Sequence, residues 1–327
     1  VVKPADVPLS DRSNCLLAIC IATACYTDIA ESLAGQGWAD IVPFYDITEA
    51  FTDRYPIHNG WFAGKLDAED LREIGQALHT WADDASRAHH LQFIAWHLLR
   101  QDLVFPGAPV NTQNRYFIPE ITNALQDDEV FLDGGAHHGE VTFRFAELVK
   151  NRFSKIYATE PDPANMQIFS DKLRQGTDPS WQFIEPLECA LGKETGSAGF
   201  AGGFGYASQL SPQGSSVVRI HTIDDLALPV TFVKLHLEGW EYDALLGGLK
   251  TFQQRRPLIA VTTYHNRNGL WRACALLMKQ LTGYVFLLRL HAWMGTGCVL
   301  YALPQERFRP LEPAISDRLD DTKKIRS

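Results

Sequence analysis

The sequence predicts an α/β protein: a doubly wound, mostly parallel sheet with an antiparallel edge hairpin, preceded by a smaller partial α/β unit and a helical connector. From Val130 onward, short apolar runs alternate with stretches of helical periodicity. The last two apolar runs, Tyr284–Leu290 and Cys298–Leu303, have no helical stretch between them, which reads as a strand pair. Near the front, Leu16–Thr23, Tyr26–Leu33 and Ile41–Tyr45 form one strand–helix–strand pattern.

At 327 residues the chain is too long for one core of usual size. We divide it into a partial α/β domain over 1–60, a helical connector over 61–110, a main domain over 111–304 and a polar tail over 305–327. One strand–helix–strand unit cannot cover both faces of a sheet, so either it docks on the rest or strands precede Val1. The abrupt start favours the second. In the connector, Leu66–Trp81 and Ala85–Leu99 are helical, with apolar faces at Leu71, Ile74 and Leu78 and at Leu91, Ile94 and Leu98. In the main domain, strands are expected at Val130–Asp133, Lys155–Glu160, Trp181–Leu191, Thr231–Leu237 and Leu258–Thr263. Helices fall at Glu140–Lys150, Pro163–Arg174, Trp240–Leu249 and Leu270–Leu281. Gly196–Ser216 reads as a glycine-containing loop, compatible with a lid.

The net charge of −9 argues against wrapping nucleic acid or lying on an anionic membrane. A small neutral or cationic substrate, or a sugar, fits better. The longest apolar run, Cys15–Cys25, is about half of a membrane span. The six cysteines form no C-x-x-C pair and read as reduced thiols of a cytoplasmic protein. No metal site is expected: His137 and His138 are adjacent in sequence and lack a second ligand pair.

Val130-Phe-Leu-Asp-Gly-Gly-Ala-His-His-Gly139 is a strand running into a glycine-rich turn and then a helix. Its glycines let the backbone approach a ligand closely, and Asp133 sits where such sheets bind ligands. Asp133, Gly134, Gly135, Ala136 and Gly139 are therefore candidate cofactor residues. The same letters satisfy a loose G-x-A-x-x-G dinucleotide pattern, and a ligand-free turn would read the same way. Glu160, at the end of the next strand, suits ribose hydroxyls, and Pro161 restrains its turn. A helix-start carboxylate is the plain alternative. Asp133 favours a cofactor with a cationic amino-acid end over one with a pyrophosphate.

With these blocks in place, Arg115 to Leu303 resembles the FkbM-type methyltransferases, which have the class I methyltransferase fold. The similarity is carried by residues 130–139, Tyr157–Pro161, Cys189-Ala-Leu-Gly192, Thr222–Asp225, Val233-Lys-Leu-His-Leu-Glu-Gly-Trp-Glu241, Tyr264-His265 with Leu270-Trp271, and Leu288–His291. It implies S-adenosyl-L-methionine as cofactor, with Cys189, Ala190 and His236 added to its binding residues. The implied reaction is methyl transfer to a hydroxyl of a sugar or other small-molecule or glycan acceptor. The family block usually reads Lys-x-Asp-x-Glu-Gly-x-Glu, and His236 stands here in the Asp position. Residues 1–51 resemble, weakly, the trailing half of a Rossmann-like domain.

Methyl transfer to a hydroxyl needs positioning and a proton acceptor. His236, Glu238 and His265 are the catalytic candidates, because they end the fourth and fifth strands beside the expected cofactor. Each has a plainer reading, a loop-bound histidine or, for Glu238, a helix cap. Tyr116 and Phe117 could cover the cofactor, and Arg289 and His291 could touch substrate. An NAD-linked oxidoreductase or epimerase stays open on the glycine pattern, although no Tyr-x-x-x-Lys pair accompanies it. A non-catalytic cofactor-binding module stays open on His236. Oligomeric state is not encoded in any motif.

Overall fold

The structure, a computed structural model, describes residues 3–51, 65–205 and 208–310. β1 (Leu16–Ile19) and β2 (Asp40–Pro43) are a parallel pair joined by the helix Tyr26–Ala34. β3 (Val130–Gly134), β4 (Lys155–Thr159) and β5 (Ile184–Leu187) follow, each a short apolar run leading into a polar turn. β6 (Ala190–Leu191), β7 (Gly196–Ala201), β8 (Gln209–Leu210) and β9 (Ser216–His221) form a separate small sheet. β10 (Phe232–Leu235), β11 (Leu258–Thr262), β12 (Tyr284–Leu290) and β13 (Cys298–Pro304) complete the main sheet. Every residue of β10, β11 and β13 is buried, as strands covered on both faces require.

The seven-stranded order is β5-β4-β3-β10-β11-β13-β12. All neighbours are parallel except β13, which runs antiparallel to both β11 and β12. The closing hairpin thus lies at the edge as predicted, but its antiparallel strand is inserted between β11 and β12, and the outermost strand β12 is parallel to the rest. The chain leaves β3 toward β4 and β5 and later returns to the other side of β3 as β10. This reversal opens a crevice beyond the carboxyl ends of β3 and β10.

Several local expectations change. The stretch 196–216 is a small sheet rather than a loop, because Phe200 and Leu210 bury together with Ala190; residues 206–207 lie outside the described ones. The expected Trp181–Leu191 strand divides into the turn Pro179–Phe183, β5 and β6, and Trp240–Leu249 divides into helices Glu241–Leu246 and Leu249–Arg255. The connector helix Asp84–Leu99 does not use its Leu91 and Leu98 face: both are half-exposed, while His89, His90, Phe93 and Trp96 are buried. Leu71 is likewise exposed on the helix Ala68–Thr80, whose Asp70 accepts from Trp271 Nε1 at 2.8 Å and pairs with Arg267.

The front unit docks on the rest of the chain. Ile19 and Tyr26 pack with Trp96 and Met294, and the Asp102 carboxylate accepts from the Tyr26 and Met294 amides at 2.8 and 3.1 Å. The proposed division near residue 60 lies outside the described residues, as do tail residues 311–327. No helix among the described residues is long and apolar enough to cross a membrane.

Candidate active site

A cavity of about 490 Å³ occupies the crevice, a size that suits a small-molecule ligand. Gly135, Ala136, Glu160, Pro161, Cys189, Ala190, His236 and Glu238 line it, together with Arg115, Tyr116 and Tyr264. The structure brings together most of the predicted cofactor residues. Asp133, Gly134, Gly139 and His265 are the predicted site residues that do not line it.

Asp133 is a correction. Its side chain is fully buried and sits across the sheet from Lys234, with Lys234 Nζ 2.7 Å from Oδ1. Thr142 Oγ1 donates to Oδ2 at 2.7 Å. Lys234 also donates to the Gly135 carbonyl at 2.9 Å and borders the cavity, so the pair shapes the loop from below while the Asp133 carboxylate itself does not line the cavity. Gly134 is needed for packing, since a Cβ there would lie 2.7 Å from Leu235. At Gly139, φ is +84° and a Cβ would lie 2.4 Å from the Phe169 ring.

Gly135 is where close approach matters to the site. Its φ is +74°, and a Cβ would fall 2.0 Å from the His236 carbonyl oxygen. Gly135→Ala should therefore cost roughly 2–4 kcal/mol and displace the turn after β10. Gly203→Ala is the control, because Gly203 has φ +82° with nothing within 4 Å. Urea unfolding of the two variants separates collision from backbone strain; equal losses would reject the collision.

Four of the loop amides are already used. Gly135 and Ala136 donate to the Thr159 carbonyl at 3.0 and 2.9 Å, Gly139 donates to Ala136, and His137 donates to Glu160 Oε2 at 2.8 Å. A dinucleotide loop presents such amides to a pyrophosphate, so this arrangement disfavours the NAD reading. Glu160 also accepts from the Asp162 amide at 3.0 Å, and burial pushes its carboxyl above the ordinary range. Asp162 caps the helix Pro163–Gln175, so Glu160 is not that helix's cap.

After β10, across β3 from Glu160, His236 Nε2 is 2.9 Å from Glu238 Oε1, and its Nδ1 is 2.7 Å from the Tyr116 hydroxyl. Burial, followed by the Arg115 charge, holds His236 well below its usual pKa, so it is neutral. The neutral ring therefore carries its proton on Nε2 toward the carboxylate and accepts from Tyr116 at Nδ1. His265 is buried just behind, its Nδ1 2.7 Å from Glu241 Oε1 and its Nε2 3.4 Å from Glu238 Oε2. Burial opposes protonation of His265, but Glu241 and Glu238 outweigh it and raise its pKa.

Glu238 has φ +50°, which turns it back over the strand end. It does not cap the helix Glu241–Leu246. Glu241 accepts from the Leu237 and Gly239 amides at 2.9 and 3.0 Å and from Thr262 Oγ1 at 2.8 Å, so it ties the turn to β11.

Arg115 is the residue sequence reasoning missed. Its guanidinium lies over the Tyr116 and Tyr264 rings and donates to the Tyr264 hydroxyl at 3.0 Å. Its buried Nε has no hydrogen-bond partner, and the tyrosines around it raise its pKa against the effect of burial. Arg289 and His291 do not line this cavity. Arg289 pairs with Asp83 at 2.6 Å and Glu120 at 2.9 Å, and His291 bridges Asn111 and Tyr301. Phe117 lines the cavity but also packs on Phe145 and Phe232.

The strand order, the inserted antiparallel β13 and the cavity at the β3–β10 reversal define a class I methyltransferase architecture. Residues 133–288 match the family described as "Methyltransferase FkbM domain", and this segment of the chain belongs to that methyltransferase family. Among solved structures, the chain is similar to the methyltransferase FkbM from Methylobacillus flagellatus KT, with 21% identity, a TM-score of 0.65, and coverage of 84% of this chain and 70% of that one. At that identity the likeness establishes the fold. More remote is precorrin-6y C5,15-methyltransferase from Geobacter metallireducens GS-15, with 16% identity, a TM-score of 0.34, and 60% and 93% coverage. A putative methyltransferase from Streptococcus mutans, in complex with SAH, gives 12% identity, a TM-score of 0.35, and 55% and 90% coverage. Neither remote likeness carries an argument. A comparison with curated proteins found no match.

Proposed function

We propose that the chain is an S-adenosyl-L-methionine-dependent O-methyltransferase acting on a hydroxyl of a sugar or another small-molecule or glycan acceptor. One observation carries this reading. One cavity is lined by a buried carboxylate, Glu160, after β4 and, across β3 from it, by His236 and Glu238 after β10, with His265 buried behind them, a cluster fit to receive a proton.

The residues present suit this cofactor. Glu160 Oε2 takes only the His137 amide and keeps a lone pair for one ribose hydroxyl, and a second hydroxyl would replace the weak 3.5 Å bond from Asn165 Nδ2 on Oε1, while the Asp162 and His137 amides hold the loop. Cys189 and Ala190 offer a buried apolar wall. Arg115, with an unpartnered buried Nε, is placed for the α-carboxylate, a role not legible in the sequence. What the cofactor supplies when bound is a methyl group on a sulfonium, from which a neutral thioether leaves. The chain's task is then to orient the acceptor oxygen and receive its proton. Glu238 stands between the two imidazoles, and Glu241 holds the His265 ring in place through Nδ1.

Isothermal titration with S-adenosylmethionine, its demethylated product and NAD tests the cofactor. Binding of the first two without NAD is expected, and binding of NAD alone overturns the proposal. Glu160→Gln removes the charge from two ribose hydrogen bonds and should weaken S-adenosylmethionine roughly ten- to hundredfold. Unchanged affinity in the folded variant would remove Glu160 from the site.

A further inference from the structure

We propose that His236, Glu238 and His265 form a binding site for one divalent first-row transition ion of the zinc class, at the acceptor end of the cavity. The inference rests on the methyltransferase reading for what the ion does, but not for its binding.

The ligand atoms converge although the residues are far apart in sequence. One nitrogen of each imidazole and one oxygen of the carboxylate all lie within 4.8 Å of one another. Glu238 Oε2 and His265 Nε2 are buried and have no hydrogen-bond partner. Buried polar atoms are normally satisfied, and here two unsatisfied ones face each other at 3.4 Å beside a third donor. A cation between them removes both deficits.

The outer contacts agree. A metal-bound histidine usually passes its other ring N–H to an oxygen, often a carboxylate. For His265 that oxygen is Glu241 Oε1 at 2.7 Å; for His236 it is the Tyr116 hydroxyl at 2.7 Å, to which Nδ1–H would donate once an ion takes the place of the Nε2 proton. Glu241 is itself fixed by two amides and Thr262, so the His265 ring is preorganised.

The charges permit it. Of the neighbouring cations, Lys234 is neutralised by Asp133, and Arg115 is stacked between Tyr116 and Tyr264. Glu238 and Glu241 supply two negative charges against Arg115. The other such three-residue group among the described residues, His137, His138 and Glu140, is less suitable because Lys172 Nζ occupies Glu140 at 3.1 Å. The stacking of His137 on His138, with centroids 3.6 Å apart, does show that adjacent histidines can point the same way.

Two imidazoles and one carboxylate suit zinc-like ions, whereas magnesium prefers oxygen ligands. Three protein ligands leave a position open toward the cavity, where a cation would polarise an acceptor hydroxyl.

The test is equilibrium dialysis of chelator-stripped protein against Zn²⁺ and Mg²⁺, read by elemental analysis. Visible absorption of the Co²⁺-loaded protein reports the ligand geometry. One Zn²⁺ per chain is expected, with Mg²⁺ at least about 100-fold weaker. Glu238→Gln and His236→Asn, checked for folding by circular dichroism, should each weaken Zn²⁺ by about 100-fold or more. No stoichiometric Zn²⁺ in the wild type overturns the proposal, whatever the variants do. Binding that survives both substitutions, or that is lost in His137→Asn instead, also overturns it. Titration of S-adenosylmethionine on the same samples keeps the two readings apart: cofactor binding without zinc sinks only the metal site, and zinc without cofactor sinks only the methyltransferase reading.

Discussion

Asp133→Ala is expected to destabilise the protein by roughly 3–5 kcal/mol, the usual cost of removing one partner from a buried ion pair. Both side chains are inaccessible, at 1% and 0% exposure. After the substitution Lys234 Nζ keeps only the Gly134 and Gly135 carbonyls, at 3.2 and 2.9 Å, and Thr142 loses its acceptor. An ammonium with two carbonyls and no counter-charge is poorly compensated in a dry sheet. The double variant Asp133→Ala/Lys234→Met should recover a large part of the loss, because both charges are then gone. Urea unfolding of the wild type and both variants checks this. A single variant within about 1 kcal/mol of the wild type, or a double variant no better than the single, would contradict it. Cofactor affinity should fall far less than stability, since the carboxylate touches no part of the cavity.

The same residue shows what the sequence could and could not convey. That Asp133 ends a central strand was readable, because Val130–Leu132 is apolar and glycines follow. Whether its side chain met a ligand or the sheet was not readable from that block alone. The missing information lay 101 residues away, in a lysine inside the otherwise apolar run Phe232–Leu235 that pairs in register with it. A lysine in such a run calls for a buried counter-ion, so the signal existed. Glu160 was readable for the opposite reason: its place after β4 and before Pro161 leaves it near the crevice under either reading.

Other parts depended on tertiary contacts with no local pattern. Arg115 reaches His236 through Tyr116 and through the Tyr264 hydroxyl, which lies 3.3 Å from His236 Nε2, and nothing around residue 115 marks it. The sheet of β6 to β9 was hidden because its glycines and serines read as loop. Its strands bury few side chains, Phe200 and Leu210 among them. His236, Glu238 and His265 were each readable as strand-end residues. Their convergence was not, because it depends on the positive φ of Glu238 and on Glu241 pinning the turn.

Stability should fall steeply as pH drops from about 6.5 to about 4, through buried histidines that burial keeps neutral: His90 and His291 outside the cavity, with His89 and His236 lowered in the same direction. Burial lowers both His90 and His291 to about 4. The hydrogen bonds explain why neither can take a proton in place. Trp81 Nε1 donates to His90 Nδ1 at 3.0 Å, which leaves Nε2 to donate to the Leu270 carbonyl at 3.0 Å. A second proton on His90 would face the Trp81 N–H. His291 Nδ1 donates to the Asn111 carbonyl at 2.7 Å, so Nε2 accepts from the Tyr301 hydroxyl at 2.8 Å, which itself accepts from the Tyr116 amide.

Because the folded pKa lies below the unfolded value, the unfolded chain binds more protons in this window. The stabilisation is therefore complete above about pH 6.5 and is lost toward pH 4, at roughly 3 kcal/mol per histidine. Carboxylates with lowered values, such as Asp70 and Asp83, act further down the pH scale. Urea midpoints at pH 7.0, 5.5 and 4.5 measure the slope. His90→Gln, whatever its stability at neutral pH, should lose less across the interval than the wild type; a parallel loss, or a flat wild-type profile, would remove the histidines from the account. His291 reaches the site through Tyr301 and the Tyr116 amide, and Tyr116 contacts His236. Acid should therefore loosen the cavity wall along with the connector helix, and cofactor affinity should decline over the same pH interval as stability.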